Sequence, residues 1–195
     1  MKKIVLSSVM VTMFSLFSVG ANAGLFDILE YSAGQTDAEN GDSTYNSFSA
    51  AFQLPSPENV FIAFDSTEIG NTDNLAIGGG YYFPFGPLSS LFGTFQLVDT
   101  TFSSSTTVEN VGTITSSDSD TGFRIQVGIR NTLTDYIELE GKVRYTDGIT
   151  DEADTSFVAS FRFYVTENFS VAANYDTIYE QDVLSASVRW AYSTN

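Results

Sequence analysis

The most regular pattern of apolar and polar positions lies at residues 136–145, which read YIELEGKVRY. The odd-numbered positions are mostly apolar, and the even-numbered positions include Glu138, Glu140, Lys142 and Arg144. Because successive side chains of a strand point to opposite faces, the pattern predicts one apolar face and one ionic face. Neighbouring segments repeat the pattern and offer no helix to cover the apolar faces. We therefore expect a closed barrel with its apolar face towards lipid and its charged face towards the lumen.

The same alternation recurs along the chain and predicts about ten strands, separated by polar loops and by turns that contain proline or glycine. The first strand is the least regular, so eight strands is the alternative count. The predicted fold class is all-β, a transmembrane antiparallel up-and-down barrel. The predicted strands span residues 29–35, 44–54, 60–64, 75–83, 91–97, 123–130, 136–145, 157–165, 169–175 and 184–192.

The start of the chain has the three parts of a cleavable signal peptide. Lys2 and Lys3 are basic, an apolar run extends to about Val19, and the small residues Ala21 and Ala23 mark a cleavage site. The predicted domains are a signal peptide at 1–23 and a barrel at 24–195. No later apolar stretch is long enough for a transmembrane helix, and the chain has no cysteine to form disulfides.

The position of the charges along the chain supports a barrel. The net charge is -16, with 24 acidic and 8 basic residues. Every basic residue after the signal falls on the polar face of a predicted strand, whereas most acidic residues fall in every second connection. The predicted lumen charge network consists of Arg124, Arg130, Glu138, Glu140, Lys142, Arg144, Arg162 and Arg189.

Short and long connections are expected to alternate, with both termini and the short turns on the periplasmic side and acidic loops outside. The longest predicted loop spans 103–120 and is rich in serine and threonine. Aromatic residues near the strand ends predict a girdle at each membrane interface. A soluble β-sandwich is the alternative, but its core face needs far fewer large aromatic residues. The predicted girdles are Tyr31, Tyr45, Phe102, Tyr145 and Tyr175 at one rim, and Phe83, Tyr136, Phe163, Phe169, Trp190 and Tyr192 at the other.

A hairpin closed about Leu133 predicts which charged residues are neighbours in the lumen. It places Arg124 near Lys142, Gln126 near Glu140, and Gly128 near Glu138. The next hairpin brings Arg162 opposite Glu138 or Glu140. A barrel of this size is nearly filled by its own side chains, so we expect a structural network of paired charges. A narrow, charge-lined pore is the alternative.

The phrases LTDYIELEGKVRY, VTENFSVAANY and, more loosely, PLSSLFGTFQLV resemble the porin-like small outer-membrane β-barrel family. The resemblance covers nearly all of the predicted barrel and is one of pattern, without a diagnostic motif. The family typically has eight strands, so this chain would carry an extra hairpin. Family members usually end on an aromatic residue, whereas Ser193, Thr194 and Asn195 follow Tyr192 here. The resemblance implies the outer membrane of a Gram-negative bacterium, with periplasmic chaperones and the outer-membrane assembly machinery as partners.

Several classes of catalytic chemistry are excluded because the chain has no histidine and no cysteine. Ser–His and Cys–His nucleophiles and histidine–metal sites are therefore absent. Glu138 and Glu140 share a strand face, but the cations beside them are expected to keep both ionised, which does not suit an acid–base pair. The sequence favours a protein that is not an enzyme and has no cofactor.

The acidic loops suggest weak contacts with divalent cations that bridge to lipopolysaccharide. Their spacing matches no dedicated calcium loop, so no metal site is predicted, and simple solvation of the acids is the alternative. Nucleic-acid binding is not expected, because no basic patch lies in the external loops. We expect a structural, surface-contact role or slow passage of small solutes, with the ligand and oligomeric state left open. The candidate cation contacts are Asp37, Glu39, Asp42, Asp147, Asp151, Glu152 and Asp154.

Overall fold

The protein is a closed barrel of ten antiparallel strands, seen in a computed structural model that describes residues 26–37, 43–108, 112–149, 153–179 and 181–192. The predicted fold class is therefore confirmed, with ten strands instead of eight. The predicted signal peptide lies outside the described residues. The strands are β1 (Ile28–Asp37), β2 (Ser43–Gln53), β3 (Val60–Ile69), β4 (Thr72–Pro84), β5 (Ser89–Val108), β6 (Gly112–Thr134), β7 (Ile137–Asp147), β8 (Asp154–Tyr164), β9 (Phe169–Ile178) and β10 (Gln181–Ala191).

Each strand pairs with its sequence neighbours, and β1 pairs with β10 to close the barrel. Ile28 faces Ala191 at one end of this seam, and Asp37 faces Asp182 at the other. Closure pairs the backbone of both terminal strands, as a sheet surrounded by lipid requires. We call the end with Ile28 and Ala191 the terminal end, and the opposite end the ribbon end. Within the described residues, no helix is long and apolar enough to cross a membrane.

Burial alternates along the strands and separates an outer face from the lumen. In β9, Phe169, Val171 and Tyr175 are exposed, whereas Ser170 and Ala172 are buried. Large apolar side chains on the outer faces of the other strands are exposed in the same way, and together they form a wide apolar belt suited to lipid. This belt includes Ile62, Leu75, Ile77, Leu97, Val127, Phe161, Leu184 and Val188.

Two of the predicted girdle residues point into the lumen, so their assignment to the membrane interface is wrong. Tyr45 packs against Ile69, Ile178 and Val183, and Phe102 packs in a second apolar cluster that includes Val98. Tyr45 shares the face of the inward Ser47, so its parity, and not its closeness to a strand end, decides where its ring lies. Tyr31, Tyr145 and Tyr175 are exposed as expected.

The predicted loop at 103–120 is wrong, because β5 and β6 continue through it as paired strands. Ser103 faces Ser117, and the ladder extends to Val108 opposite Gly112. β4 pairs with β5 only as far as Phe102, and β7 pairs with β6 only from Phe123. Between these two points, the described residues of β5 and β6 pair only with each other. Threonine is β-branched and fits an extended strand, a preference that the polar composition obscured. We call this two-stranded extension, residues 103–108 and 112–122, the ribbon.

The expected alternation of short and long connections is also wrong. Residues 70–71 join β3 to β4 at the ribbon end, where a longer loop was expected. Three acidic residues that lie just beyond the predicted strand ends belong to strands: Asp65 to β3, Asp99 to β5 and Asp176 to β9. The acidic residues are thus distributed among the ribbon end, the strands and the turns of the terminal end, where Glu58, Asp135 and Glu167 lie.

Gly80 in β4 gives room to an aromatic ring of the lumen, which makes it a test of the packing. A Cβ atom there would lie 2.3 Å from Cζ of Phe61 and 2.7 Å from the carbonyl oxygen of Gly93. Gly80→Ala is expected to destabilise the barrel by about 1–3 kcal/mol through overpacking. The measurement is the temperature at which the refolded chain loses its heat-modifiable migration in gel electrophoresis.

Gly141 provides the matched control, because a Cβ at this position would meet no atom within 4 Å. Gly141→Ala is expected to melt with the wild-type chain. Equal melting temperatures for the two glycine variants would contradict the packing described for Phe61.

Candidate functional site

Six charged side chains meet in the terminal half of the lumen and form one ion network. They belong to β1, β6, β7, β8 and β10, and each occupies the inward parity of its strand. Three are carboxylates and three are guanidinium groups, so the network is balanced in charge. Its members are Glu30, Glu138, Glu140, Arg130, Arg162 and Arg189.

Glu30 links the first strand to the last strands of the chain. Its carboxylate oxygens lie 2.6 Å from Nη2 of Arg162 and 2.6 Å from Nε of Arg189. The hydroxyl of Ser187 donates a further hydrogen bond to Glu30 at 2.6 Å. Two cations and one hydroxyl therefore compensate this carboxylate, as burial of a charge requires.

Glu138 lies at the centre of the network and contacts all three arginines. Its Oε1 atom lies 3.0 Å from Nη1 of Arg189, 3.5 Å from Nε of Arg162 and 3.6 Å from Nε of Arg130. Its Oε2 atom accepts a hydrogen bond from the Tyr164 hydroxyl at 2.7 Å. Glu140 completes the network through Nη2 of Arg130, also at 2.7 Å.

An aromatic cluster fills the other side of the terminal half. Phe26, which precedes β1, stacks on Phe61 with ring centroids 4.1 Å apart, and it also contacts Tyr82 and Phe92. Arg130 joins the cluster to the ion network, because its Cζ atom lies 4.8 Å from the centre of the Phe26 ring. This apolar side of the lumen was not predicted, because the inward positions of the most regular predicted strand are all charged.

A second group of charges lies nearer the ribbon end. Arg144 pairs with Asp176, with Nη2 and Oδ2 3.0 Å apart. Arg124 donates from Nε to the Thr146 hydroxyl at 3.3 Å. Asp65 accepts hydrogen bonds from Ser49 and from Gln96. This group is less completely paired than the ion network.

A cavity of about 140 Å³ runs between these groups. Its lining includes side chains from the aromatic cluster, such as Phe26, and from the second group, such as Arg124 and Arg144. Lys142 also lines it. The space is enough for several water molecules, so the interior of the barrel is largely filled by side chains.

The register of the β6–β7 hairpin differs from the one predicted. Arg124 faces Thr146, Gln126 faces Arg144 and Gly128 faces Lys142, instead of Lys142, Glu140 and Glu138. The turn lies at 135–136 and not at Leu133, and the ladder is irregular between Thr132 and Thr134. The slip is by an even number of residues, so each side chain keeps its face while its partner changes. In the next hairpin Glu138 faces Arg162, one of the two arrangements expected.

Two charged residues of the lumen, Glu30 and Asp176, were not among the predicted lumen residues. Glu30 alternates with the outward Leu29 and Tyr31, and this parity identifies it as inward. Asp176 follows the outward Tyr175 and points into the lumen, although the predicted strand ended at residue 175. Parity along β1 and β9 was the signal available in both cases.

The acidic positions proposed for cation contacts are only partly within the described residues. Asp37 ends β1 and is exposed, Asp154 begins β8, and Asp147 accepts hydrogen bonds from the Tyr145 hydroxyl and the Gly148 amide. Glu39, Asp42, Asp151 and Glu152 lie outside the described residues. Among the residues that are described, no three acidic side chains form a group suited to a metal ion.

Arg162 tests the ion network, since it is 1% exposed and contacts both Glu30 and Glu138. Arg162→Ala leaves two carboxylates short of a cation, and the expected loss of stability is about 3–5 kcal/mol. The measurement is the urea midpoint of the barrel refolded in detergent. The double variant Arg162→Met/Glu30→Gln is expected to lose less unfolding free energy than the sum of the losses in its two single variants. Strict additivity would contradict a shared network.

No protein-family model and no curated protein matches the chain. Solved structures do match. The KdgM porin aligns with a TM-score of 0.51 and 9% identity over 85% of this chain and 99% of that chain. The beta domain of the Bordetella autotransporter BrkA aligns with a TM-score of 0.51 and 9% identity over 86% and 98%. The chain therefore has the fold of the porin-like outer-membrane β-barrels, built here from ten strands.

Proposed function

We propose that the protein is an integral outer-membrane barrel with a structural, surface-contact role, whose filled lumen does not form an open channel. One observation carries the proposal. The ion network and the aromatic cluster occupy the terminal half of the lumen side by side, with Arg130 between them. The remaining cavity of about 140 Å³ suits water or a very small solute. The proposal includes no catalytic role and no cofactor.

The ribbon is the part of the barrel best placed for contact outside the membrane. With both termini on the periplasmic side, the ribbon extends outward beyond the wall formed by β4 and β7. Asp118 and Asp120 are exposed on it and give it negative charge. In this arrangement the apolar belt lies in lipid, and weak cation contacts at Asp37 and Asp147 would face the lipopolysaccharide. Asp154 shares the inward face of Ser156 and is therefore left out of this surface.

A narrow channel is the second candidate, favoured by the charged lining of the cavity. Arg124, Lys142, Arg144 and Asp176 all contribute to that lining. The KdgM porin has also been solved in complex with disordered oligogalacturonate. An oligomer of sugars is far larger than the cavity here, so this candidate concerns small ions or solutes only.

Single-channel recording distinguishes the two functions. The refolded chain, residues 24–195, is expected to give no discrete current steps in a planar bilayer. Phe26→Ala combined with Phe92→Ala removes two rings of the aromatic cluster and is expected to open small steps. Discrete, steady steps from the wild-type chain would overturn the filled-lumen proposal and support the channel.

The matched control is Phe157→Ala combined with Phe169→Ala, which removes two exposed rings from the outer face. This variant is expected to remain silent. If it conducts as well as the inner-ring variant, the currents report general damage to the barrel and not an opened lumen.

Shortening the ribbon tests the surface-contact role. Replacing residues 104–116 by Asn-Gly joins the partners Ser103 and Ser117 through a tight turn and leaves the β4 and β7 ladders intact. Heat stability is therefore expected to be unchanged, while cells displaying the shortened barrel should settle more slowly than cells displaying the full one. Identical settling at equal surface amounts would contradict a contact role for the ribbon.

A further inference from the structure

Arg124 lies in the lumen but does not belong to the ion network. Arg124 is 3% exposed, and among the described residues its guanidinium makes one hydrogen bond, from Nε to Thr146. Its Nη2 atom is buried and has no hydrogen-bond partner in the same part of the chain. Within the described residues Arg124 forms no ion pair. A buried guanidinium with five donors and one neutral acceptor is strongly under-compensated.

The neighbours of Arg124 do not remove this imbalance. Arg144 is held by Asp176, and its Nε atom is also buried without a partner. Lys142 lines the cavity and, over the described ranges of the chain, makes no ion pair. The carboxylates at this level are Asp65, Asp154 and Asp176, while the carboxylate of Glu140 is held by Arg130 and Arg189. The ribbon half of the lumen thus holds three cations and three carboxylates, but within the described residues none of the three carboxylates forms an ion pair with Arg124 or Lys142.

The cavity lies where a compensating charge would be expected. Arg124, Lys142 and Arg144 all line it, together with the hydrogen-bonding side chains of Gln126 and Asn174. Its volume of about 140 Å³ is enough for a small inorganic anion with some water. Guanidinium groups favour oxyanions, because their planar array of donors matches two oxygens at once.

We propose that this lumen cavity is a binding site for a small inorganic anion, which acts as the counter-ion of Arg124 and Lys142. Phosphate is the preferred class, since it offers several acceptor oxygens to the unpartnered guanidinium atoms, and chloride is the minimal member. The site is independent of the proposed surface-contact role, because it lies inside the barrel. It would also be the internal anion site of the narrow channel.

The main test is thermal unfolding of the refolded barrel during titration with sodium phosphate. Ionic strength is held constant with sodium gluconate, whose anion is bulkier than phosphate. The wild-type melting temperature is expected to rise and then saturate, as for a ligand that binds the folded state. A parallel titration with chloride shows whether an oxyanion is required. No rise with either anion would overturn the proposal.

Arg124→Gln gives a readout that a merely structural role would not produce. Without phosphate the variant is expected to be at least as stable as the wild-type chain, because it removes an uncompensated buried charge. With saturating phosphate it is expected to be the less stable of the two, so the curves cross. If Arg124→Gln is less stable by the same amount at every phosphate concentration, Arg124 only supports packing and the proposal fails.

Arg162→Lys is the matched control, because Arg162 belongs to the ion network and does not line the cavity. It is expected to lower the starting melting temperature and to keep the full response to phosphate. If Arg124→Gln fails to refold, anomalous diffraction from wild-type crystals grown in bromide still shows whether an anion binds beside Arg124. A bromide peak beside Arg124 supports the site, and a lumen without such a peak, together with a flat phosphate titration, refutes it.

Discussion

A charged side chain inside a small barrel has little water to solvate it, so it needs an opposite charge within contact distance. The terminal half of the lumen meets this requirement with three carboxylates and three guanidinium groups. Much of the architecture follows from that balance. The inward faces of five strands must each present a charged residue at the same depth, which limits the register between strands and the way in which the sheet closes.

Arg130 contacts both the ion network and the aromatic cluster in the lumen. Its guanidinium pairs with Glu140 on one side and lies against the Phe26 and Phe92 rings on the other. A guanidinium is less strongly hydrated than an ammonium group and stacks on aromatic faces, which suits it to such a boundary. The phenyl rings fill one side of the barrel without adding charge, so the network on the other side can remain balanced.

The fold could be predicted from sequence because it depends on a period of two, which each strand displays by itself. The face of every residue follows from the same rule, including Glu30 and Asp176. Partners could not be predicted equally well, because they depend on turn position, as the slipped register of β6 and β7 shows. The contact of Glu30 with Arg162 joins strands that are distant in sequence, and no local pattern encodes it. The ribbon was missed because threonine serves both strands and loops.

The position of Glu30 has a consequence for the order of assembly. Its partners Arg162 and Arg189 lie 132 and 159 residues further along the chain. The network is therefore incomplete in any open sheet, however many hairpins have already formed. An unclosed intermediate holds two arginines that lack one of their carboxylates, and it gains this compensation only when β1 meets β10. Charge compensation thus stabilises the barrel only once β1 and β10 have paired. It favours the last step of folding and slows reopening at the seam.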